Sequence, residues 1–501
     1  VDQNQEIPKE ILDLFDDYGP SPEIDKMEFA ENKDKIIKAL KNKNIEITNI
    51  RAIVGDIHTL YEISLQPGEK LEKITDAEDE LILDMKELNP RFHIDFESTY
   101  ELEIEIPNKE QNKVSFKEVL EKSEGKASDF LPGTTIRLGK EVDGEVFVPN
   151  LTKLPHLIVA GATGQGKNEI INTALSSLIL DAKPSELKLV LMDHQKVEFY
   201  PFSELNPNYI AMKNKEGGNI ISDTSEVIEN LNNLCIEMDD RYDLLKKHKC
   251  KNWKEYNEKI EKGEIQGEKK LNMIVLAVNE IADYIMIAGK EVELPLARLA
   301  QLARAIGIHV IIGTNRPSQN ILTGVIRANF PARVGTKVNS QADSKVIIDE
   351  NGADALAGQG DMIFTLGSNS VRLAGGFIKD NELEKLIEYK NQELKKLGLD
   401  EIEEDKKYPK SEEVPKSKET LKFSDLEENF EEAAKIIVGE QHGSTSLIQR
   451  KLQLGYNRAV RIMDQMEKLG IVGPSQGSSP REVHFDSVNK LEEFLKTLRN
   501  K

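Results

Sequence analysis

Leu157-Ile158-Val159-Ala160-Gly161-Ala162-Thr163-Gly164-Gln165-Gly166-Lys167-Asn168 is the stretch from which the fold is read. An apolar run ends in a loop of the form GxxxxGK, and a helical pattern begins near Glu169. Strand, glycine-rich loop and helix in that order make a phosphate-binding element. The glycines let the backbone curl so that its N–H groups point at phosphate oxygens, and the helix N-terminus adds its dipole. Gly161, Ala162, Thr163, Gly164, Gln165, Gly166, Lys167 and Asn168 are therefore the expected nucleotide-binding residues, with Lys167 set to neutralise the β- and γ-phosphates. Most such loops place Ser or Thr after the lysine to hold Mg²⁺ through a hydroxyl. Asn168 stands there instead, offering an amide oxygen that can still ligate a hard cation.

A nucleotide site of this kind needs a second apolar strand that ends in acidic residues. Met273 to Val278 supplies the strand, with Asn279 where the magnesium-holding Asp usually sits and Glu280 next, placed to polarise an attacking water. Asn168 and Asn279 are the expected metal contacts, through the nucleotide, and Glu280 and Lys167 the catalytic pair. A third apolar run, Ile308 to Gly313, leads into Thr314-Asn315-Arg316-Pro317. Polar residues at the carboxyl end of a neighbouring strand lie where ligands bind in open parallel sheets, so Thr314 and Asn315 are expected to sense the γ-phosphate. Arg298, Arg304, Arg316, Arg327 and Arg333 are candidate fingers acting in trans, and the sequence does not choose among them.

Working outward, runs at His156 to Ala160, Leu187 to Met192, Met273 to Val278, Ile308 to Gly313, Ala332 to Val338 and Asp361 to Phe364 alternate with helical patterns. That alternation predicts an α/β domain with a mostly parallel sheet over 151–380. Upstream, 1–30 reads as an acidic arm with the turn signal Gly19-Pro20-Ser21-Pro22, and 31–150 as a small α+β domain. Downstream, 381–423 is dominated by Lys and Glu and reads as a charged linker. Residues 424–490 regain periodicity as three helices and a strand, the pattern of a winged helix-turn-helix.

The chain is acidic overall, with a net charge of −21, which argues against a nucleic-acid coat protein. The tail reverses the sign: Gln441 to Phe485 holds six Lys/Arg against three acidic residues, 6 − 3 = +3. Asn457, Arg458 and Arg461 fall in the first turns of the predicted recognition helix and Arg481 in the wing, which makes them the expected DNA-binding residues. Cys235 and Cys250 show no metal spacing and predict a reduced, cytoplasmic setting. No run of eighteen apolar residues exists.

Beyond these local patterns, the chain resembles the FtsK/SpoIIIE family of bacterial DNA translocases along nearly its whole length. The likeness is carried by Leu154-Pro155-His156-Leu157 before the phosphate loop, Ala297 to His309, Arg316-Pro317-Ser318, Ile321 to Arg333, Gly358-Gln359-Gly360-Asp361-Met362, and the tail Ser444 to Lys451 with Gly455 to Ala459. The resemblance implies a motor of three parts: an α subdomain before about 150, a RecA-like P-loop ATPase at 151–380, and a DNA-reading γ subdomain from about 424. It implies a ring, as a hexamer, that pumps double-stranded DNA with ATP and Mg²⁺ in chromosome segregation and cell division. It also implies orientation by short DNA sequences read by γ, a site-specific recombinase as partner, and a cytoplasmic motor whose parent protein is anchored in the inner membrane by a segment outside this chain. The segments 315–327 and 339–349 are expected to be pore-facing loops. Departures cluster at the nucleotide: Asn168, Asn279, Asp193-His194-Gln195, Thr314-Asn315-Arg316-Pro317 and Asp343-Ser344-Lys345. They leave open an alternative, a nucleotide- and DNA-binding assembly factor of the same family with impaired hydrolysis.

Overall fold

A computed structural model describes residues 7–18, 26–70, 72–94, 101–126, 131–399, 426–427, 429–452, 456–473, 481–485 and 487–499. The chain divides into two units, Val1–Lys410 and Ser411–Lys501. The turn signal at 19–22 lies outside the described residues, as does 400–425.

In the first unit, strands β1 (Ile47–Val54), β2 (His58–Leu65), β3 (Arg91–Ile94) and β4 (Glu101–Pro107) form an antiparallel sheet in the order β1-β2-β4-β3. Along β2 buried and half-buried residues alternate, as expected for a sheet covered on one face. The helices Lys26–Asn42 and Glu72–Asp84 cover it, dropping Ile36, Leu40, Ile74 and Leu81 onto Ile50, Tyr61, Ile63 and Ile104.

The larger sheet uses β5 (Val114–Ser115), β6 (Gly139–Lys140), β7 (Val146–Phe147), β8 (His156–Ala160), β9 (Leu187–Met192), β10 (Ile220–Ile221), β11 (Met273–Val278), β12 (Ile308–Thr314), β13 (Ala332–Thr336), β14 (Asp361–Leu366) and β15 (Asn369–Phe377). Its order is β10-β9-β11-β12-β8-β13-β14-β15-β6-β7, with β5 pairing β15. From β10 to β13 every pairing is parallel; from β13 to β7 every pairing is antiparallel. The parallel expectation thus holds for the half that carries the phosphate loop. In the antiparallel half, β14 and β15 are joined by two residues and β6 and β7 by five, whereas β13 reaches β14 only through 337–360, which includes the helix Gln341–Ile348. Every residue of β8, β11 and β12 is buried, which is why these strands read as continuous apolar runs rather than alternating ones.

Two expected boundaries move. Residues 114–147 do not belong to the small domain, because β5, β6 and β7 extend the large sheet. The small sheet ends at Pro107. The linker expected from 381 begins later: Asp380–Lys396 is a helix that buries Leu383, Leu386, Ile387 and Leu394. Asn391 ties this helix down by accepting from the Asn206 N–H (2.9 Å) and donating to the Glu204 carbonyl (2.7 Å). Its four apolar residues at helical spacing were hidden by abundant Lys and Glu on the opposite face. The segment 339–349 is likewise no loop, since Gln341–Ile348 is a helix with Val346, Ile347 and Ile348 buried.

In the second unit the helices Phe430–Glu440, Thr445–Leu452 and Tyr456–Lys468 pack around Ile437, Ile448, Ile462, Met463 and Met466. Antiparallel bridges Gly443↔Arg481 and Val472↔Val483 follow, in the place of the expected wing, whose tip at 474–480 lies outside the described residues. A further helix, Val488–Arg499, not anticipated from the sequence, adds Leu491 and Leu495 to this core.

If Asp380–Lys396 is part of the core rather than a tether, Leu386→Ala destabilises the first unit by about 2–5 kcal/mol in denaturant titration. A tether would leave the midpoint unchanged.

Candidate nucleotide site

Three strand ends lie within two residues of one level. Val278 pairs with Ile312, and Gly313 and Thr314 pair with Val159 and Ala160, so the residues just past β11, β12 and β8 emerge side by side at the carboxyl edge of the sheet. The phosphate loop is stitched to this edge by the Gly161 N–H donating to the Thr314 carbonyl (3.3 Å) and the Ala162 N–H to the Lys337 carbonyl (2.8 Å). It opens into the helix Lys167–Asp181. Gly166 caps that helix at φ 101°, and a Cβ there would lie 2.8 Å from the Gly360 nitrogen, so no other residue fits without displacement.

Lys167 is 3% exposed and donates to the carbonyl and Oδ1 of Asn279, both at 3.2 Å, and to Glu280 Oε2 at 3.4 Å. Burial pushes its ammonium pKa down, with Glu280 opposing the shift. Glu280 is itself held: Oε1 accepts from the Thr314 hydroxyl at 2.6 Å and Oε2 from the Asn315 N–H at 2.7 Å. The sequence-expected residues Lys167, Asn279, Glu280, Thr314 and Asn315 are therefore brought together. Chemically, they form a carboxylate with a fixed direction beside a buried ammonium, next to the phosphate loop.

Two acidic groups lie beside these residues: Asp193, from the stretch Asp193-His194-Gln195 that the family resemblance puts at the nucleotide, and Glu198, which the sequence does not single out. Asp193, at the end of β9, is buried and accepts from the N–H groups of Gln195, Glu198 and Phe199. The Asn279 amide donates to it at 3.4 Å. Burial raises the Glu198 carboxyl, with Lys167 pulling the other way. Asp193 follows the end of β9, next to β11, whereas Glu198 lies in the loop beyond it and carries no local signal. Asn168 contributes a buried Oδ1 that no protein donor meets among the described residues. An acceptor left open at that place suits a cation.

Beside the loop lies a cavity of about 270 Å³ lined by Gly164, Gly166, Glu169, Gly360, Gly375 and Phe377 among others. Lys113 lies over the Phe377 ring, 4.6 Å from its centroid. Neither residue was legible as part of a site, because both come from segments far from the loop in sequence.

Among the candidate fingers, Arg298 pairs with Asp239 at 2.8 Å, Arg327 pairs with Asp349 at 3.1 Å, and Arg333 also pairs with Asp349. Arg304 and Arg316 are exposed. In the second unit Arg458 Nε lies 3.2 Å from Glu427 and Arg481 Nη1 lies 2.6 Å from Glu467. Asn457 and Arg461 sit on the helix Tyr456–Lys468, and their side chains lie outside the described residues.

Comparison with known proteins matches three regions of the chain in order. Residues 9–108 match the FtsK alpha domain, 120–319 the FtsK/SpoIIIE family and 424–486 the FtsK gamma domain. The chain is 35% identical over 500 residues to the DNA translocase SpoIIIE of Bacillus subtilis, covering 98% of this chain and 60% of that protein. It is 36% identical over 487 residues to the DNA translocase FtsK of Chlorobaculum tepidum, covering 95% of this chain and 58% of that protein. The chain therefore spans about 60% of the length of these relatives. A solved conjugation coupling protein, TcpA of pCW3 with ATPγS, is 18% identical with a TM-score of 0.46, covering 72% of this chain and 99% of that one. With all three regions matched in order and this identity sustained end to end, the chain belongs to the FtsK/SpoIIIE family.

Proposed function

We propose that the chain is the motor portion of an ATP-driven double-stranded DNA translocase acting in chromosome segregation and cell division. The observation that carries this is the orientation of Glu280. Thr314 and Asn315, from the adjoining strand end, fix both its oxygens within reach of Lys167. A carboxylate held in this way takes a proton from water as the water oxygen bonds to the γ-phosphorus and the bridging oxygen leaves with ADP. Thr314 and Asn315 couple that carboxylate to the γ-phosphate. Lys167 moves from Glu280 and Asn279 to the phosphates, and the loop 161–168 supplies N–H donors. The nucleoside occupies the cavity against Phe377.

Mg²⁺, when bound with the nucleotide, would be held by Asn168 Oδ1 and Asn279 and would neutralise charge on the phosphates. Asp193 and Glu198 supply the negative charge that Asn279 and Asn168 lack. Arg304 and Arg316, exposed and without an ion pair among the described residues, are the better placed fingers for a neighbouring copy in a hexameric ring. Asn457, Arg458, Arg461 and Arg481 read orienting DNA sequences, with Arg458 and Arg481 exchanging Glu427 and Glu467 for DNA. A recombinase partner and a cytoplasmic motor on a membrane-anchored parent protein complete the proposal. Among the described residues no helix is long and apolar enough to cross a membrane.

The test is the ATPase rate with Mg²⁺, with and without long duplex DNA. DNA is expected to stimulate the rate, and Glu280→Gln to lower it by about 10²–10⁴-fold while nucleotide binding persists. Equal rates in the two proteins would remove Glu280 from the mechanism. Thr314→Val, which frees one Glu280 oxygen, is expected to reduce kcat by about tenfold with little change in KM. If the asparagines are tolerated by a site with its own working geometry, Asn168→Ser with Asn279→Asp changes the rate by less than about threefold. A large rise would instead favour a motor whose turnover those two residues limit.

A further inference from the structure

The cleft has a wall that the phosphate loop does not supply. The turn Ala357-Gly358-Gln359-Gly360 lies against the loop, so closely that a Cβ on Gly358 would meet Gln165 Oε1 at 2.3 Å. Gln359 and Gly360 line the cavity, and the Gly360 carbonyl accepts from the Gly375 N–H at 2.8 Å. On its amino side the turn is anchored by apolar packing, Leu356 in the main core and Ala357 against Val119 and Ala374. On its carboxyl side it is held by charge.

Asp361, immediately after the turn, has no exposed surface. Its Oδ2 accepts from the Ala357 N–H at 2.7 Å, which closes the turn upon itself. Arg372 on β15 grips the same carboxylate with both prongs, Nε to Oδ1 at 3.0 Å and Nη2 to Oδ2 at 2.7 Å. Its remaining nitrogen, Nη1, crosses to the small domain and donates to Glu105 Oε2 on β4 at 2.9 Å. Arg91 on β3 meets the same Glu105 at 3.3 Å and reaches back to Glu350 and Ser370 of the large domain, both at 3.2 Å. Asn89 donates to the Ala355 carbonyl at 2.7 Å, two residues before the turn.

The groups in the middle of this chain are almost wholly out of water: the side chains of Arg372, Asp361 and Glu105 are 2%, 0% and 11% exposed. Burial pushes the Glu105 carboxyl up, but Arg372 and then Arg91 outweigh it and hold it at about 2, so it stays ionised at any working pH. His58 beside them is pushed down to about 4, chiefly by burial and then by Arg372, and stays neutral. Bidentate, charge-assisted hydrogen bonds in a dry setting fix geometry more than they add stability.

We propose that Glu105 and Arg372 are positioning residues for nucleotide binding: through Asp361 they set the turn 357–360 against the phosphate loop, so affinity in the cleft depends on a carboxylate of the small domain. The inference rests on the nucleotide-binding reading given above. Glu105 is not among the residues lining the cavity, and an effect of its removal on affinity has to travel through its partners, Arg372 directly to Asp361 and Arg91 by way of Glu350 and Ser370.

Titration of the full chain with methylanthraniloyl-ATP tests this. The control is Glu237→Gln, which breaks a comparably buried pair with Arg241 that lies away from the cleft. Glu105→Gln is expected to weaken binding by about tenfold, and Glu237→Gln to leave affinity within about twofold while lowering the melting midpoint by a similar amount. Equal affinity in Glu105→Gln and the parent chain overturns the proposal and leaves nucleotide binding intact. Absence of binding by the parent chain itself overturns the nucleotide reading instead. Should Glu105→Gln fail to fold, hydrogen exchange on the unaltered chain decides. Saturating nucleotide is expected to slow exchange in peptides covering both 357–361 and 101–107. Protection confined to 357–361 would break the proposed link.

Discussion

The arrangement depends on one constraint: three parallel strands, β8, β11 and β12, end within two residues of one level. The hydrogen-bond register does not allow one of them to advance without breaking the ladder on both sides, so Gly161, Asn279 and Thr314 have fixed mutual positions before any side chain is chosen. Because β12 lies between β8 and β11, Thr314 and Asn315 emerge between the phosphate loop and Glu280. The carboxylate is then oriented by a hydroxyl and a backbone N–H rather than by its own rotamer preference. This is preorganisation in the ordinary physical sense, with the cost met during folding rather than during reaction.

The second organising feature is the change from parallel to antiparallel pairing at β13. The antiparallel half brings β14 and β15 beside the phosphate loop and carries the buried Asp361 and Arg372 toward the small domain. The two domains of the first unit therefore meet through ionic contacts of defined geometry as well as apolar ones. An apolar interface tolerates sliding, whereas a bidentate guanidinium–carboxylate contact does not.

Much of this was legible in the sequence where one residue type has one physical use. GxxxxGK after a buried strand admits few readings, and the apolar runs of β8, β9, β11 and β12 matched the strands to within a residue. Lys167, Glu280, Thr314 and Asn315 were identified because each follows such a run. Legibility failed where contacts are distant. Nothing local to Arg372 indicates Glu105, 267 positions away, and nothing local to Lys113 indicates Phe377. Two-residue strands such as β5, β6 and β7 have too few residues to show a period, so the sequence pattern puts the boundary at 150 whereas the small sheet ends at Pro107. Composition misled at 380–396, where charge on one face of a helix outnumbered the apolar residues on the other.

The large sheet is bounded at both sides by its shortest strands, Ile220–Ile221 at one margin and Val146–Phe147 at the other. A long free margin would offer a row of unpaired N–H and C=O groups to any other chain. Margins two residues long offer almost none. Among the described residues, the margins of the large sheet could pair with another copy over two residues at most, so any contact between copies at these margins would rest on side chains. Such contacts can form and separate as the surfaces shift, whereas a continuous backbone ladder between copies would lock them together.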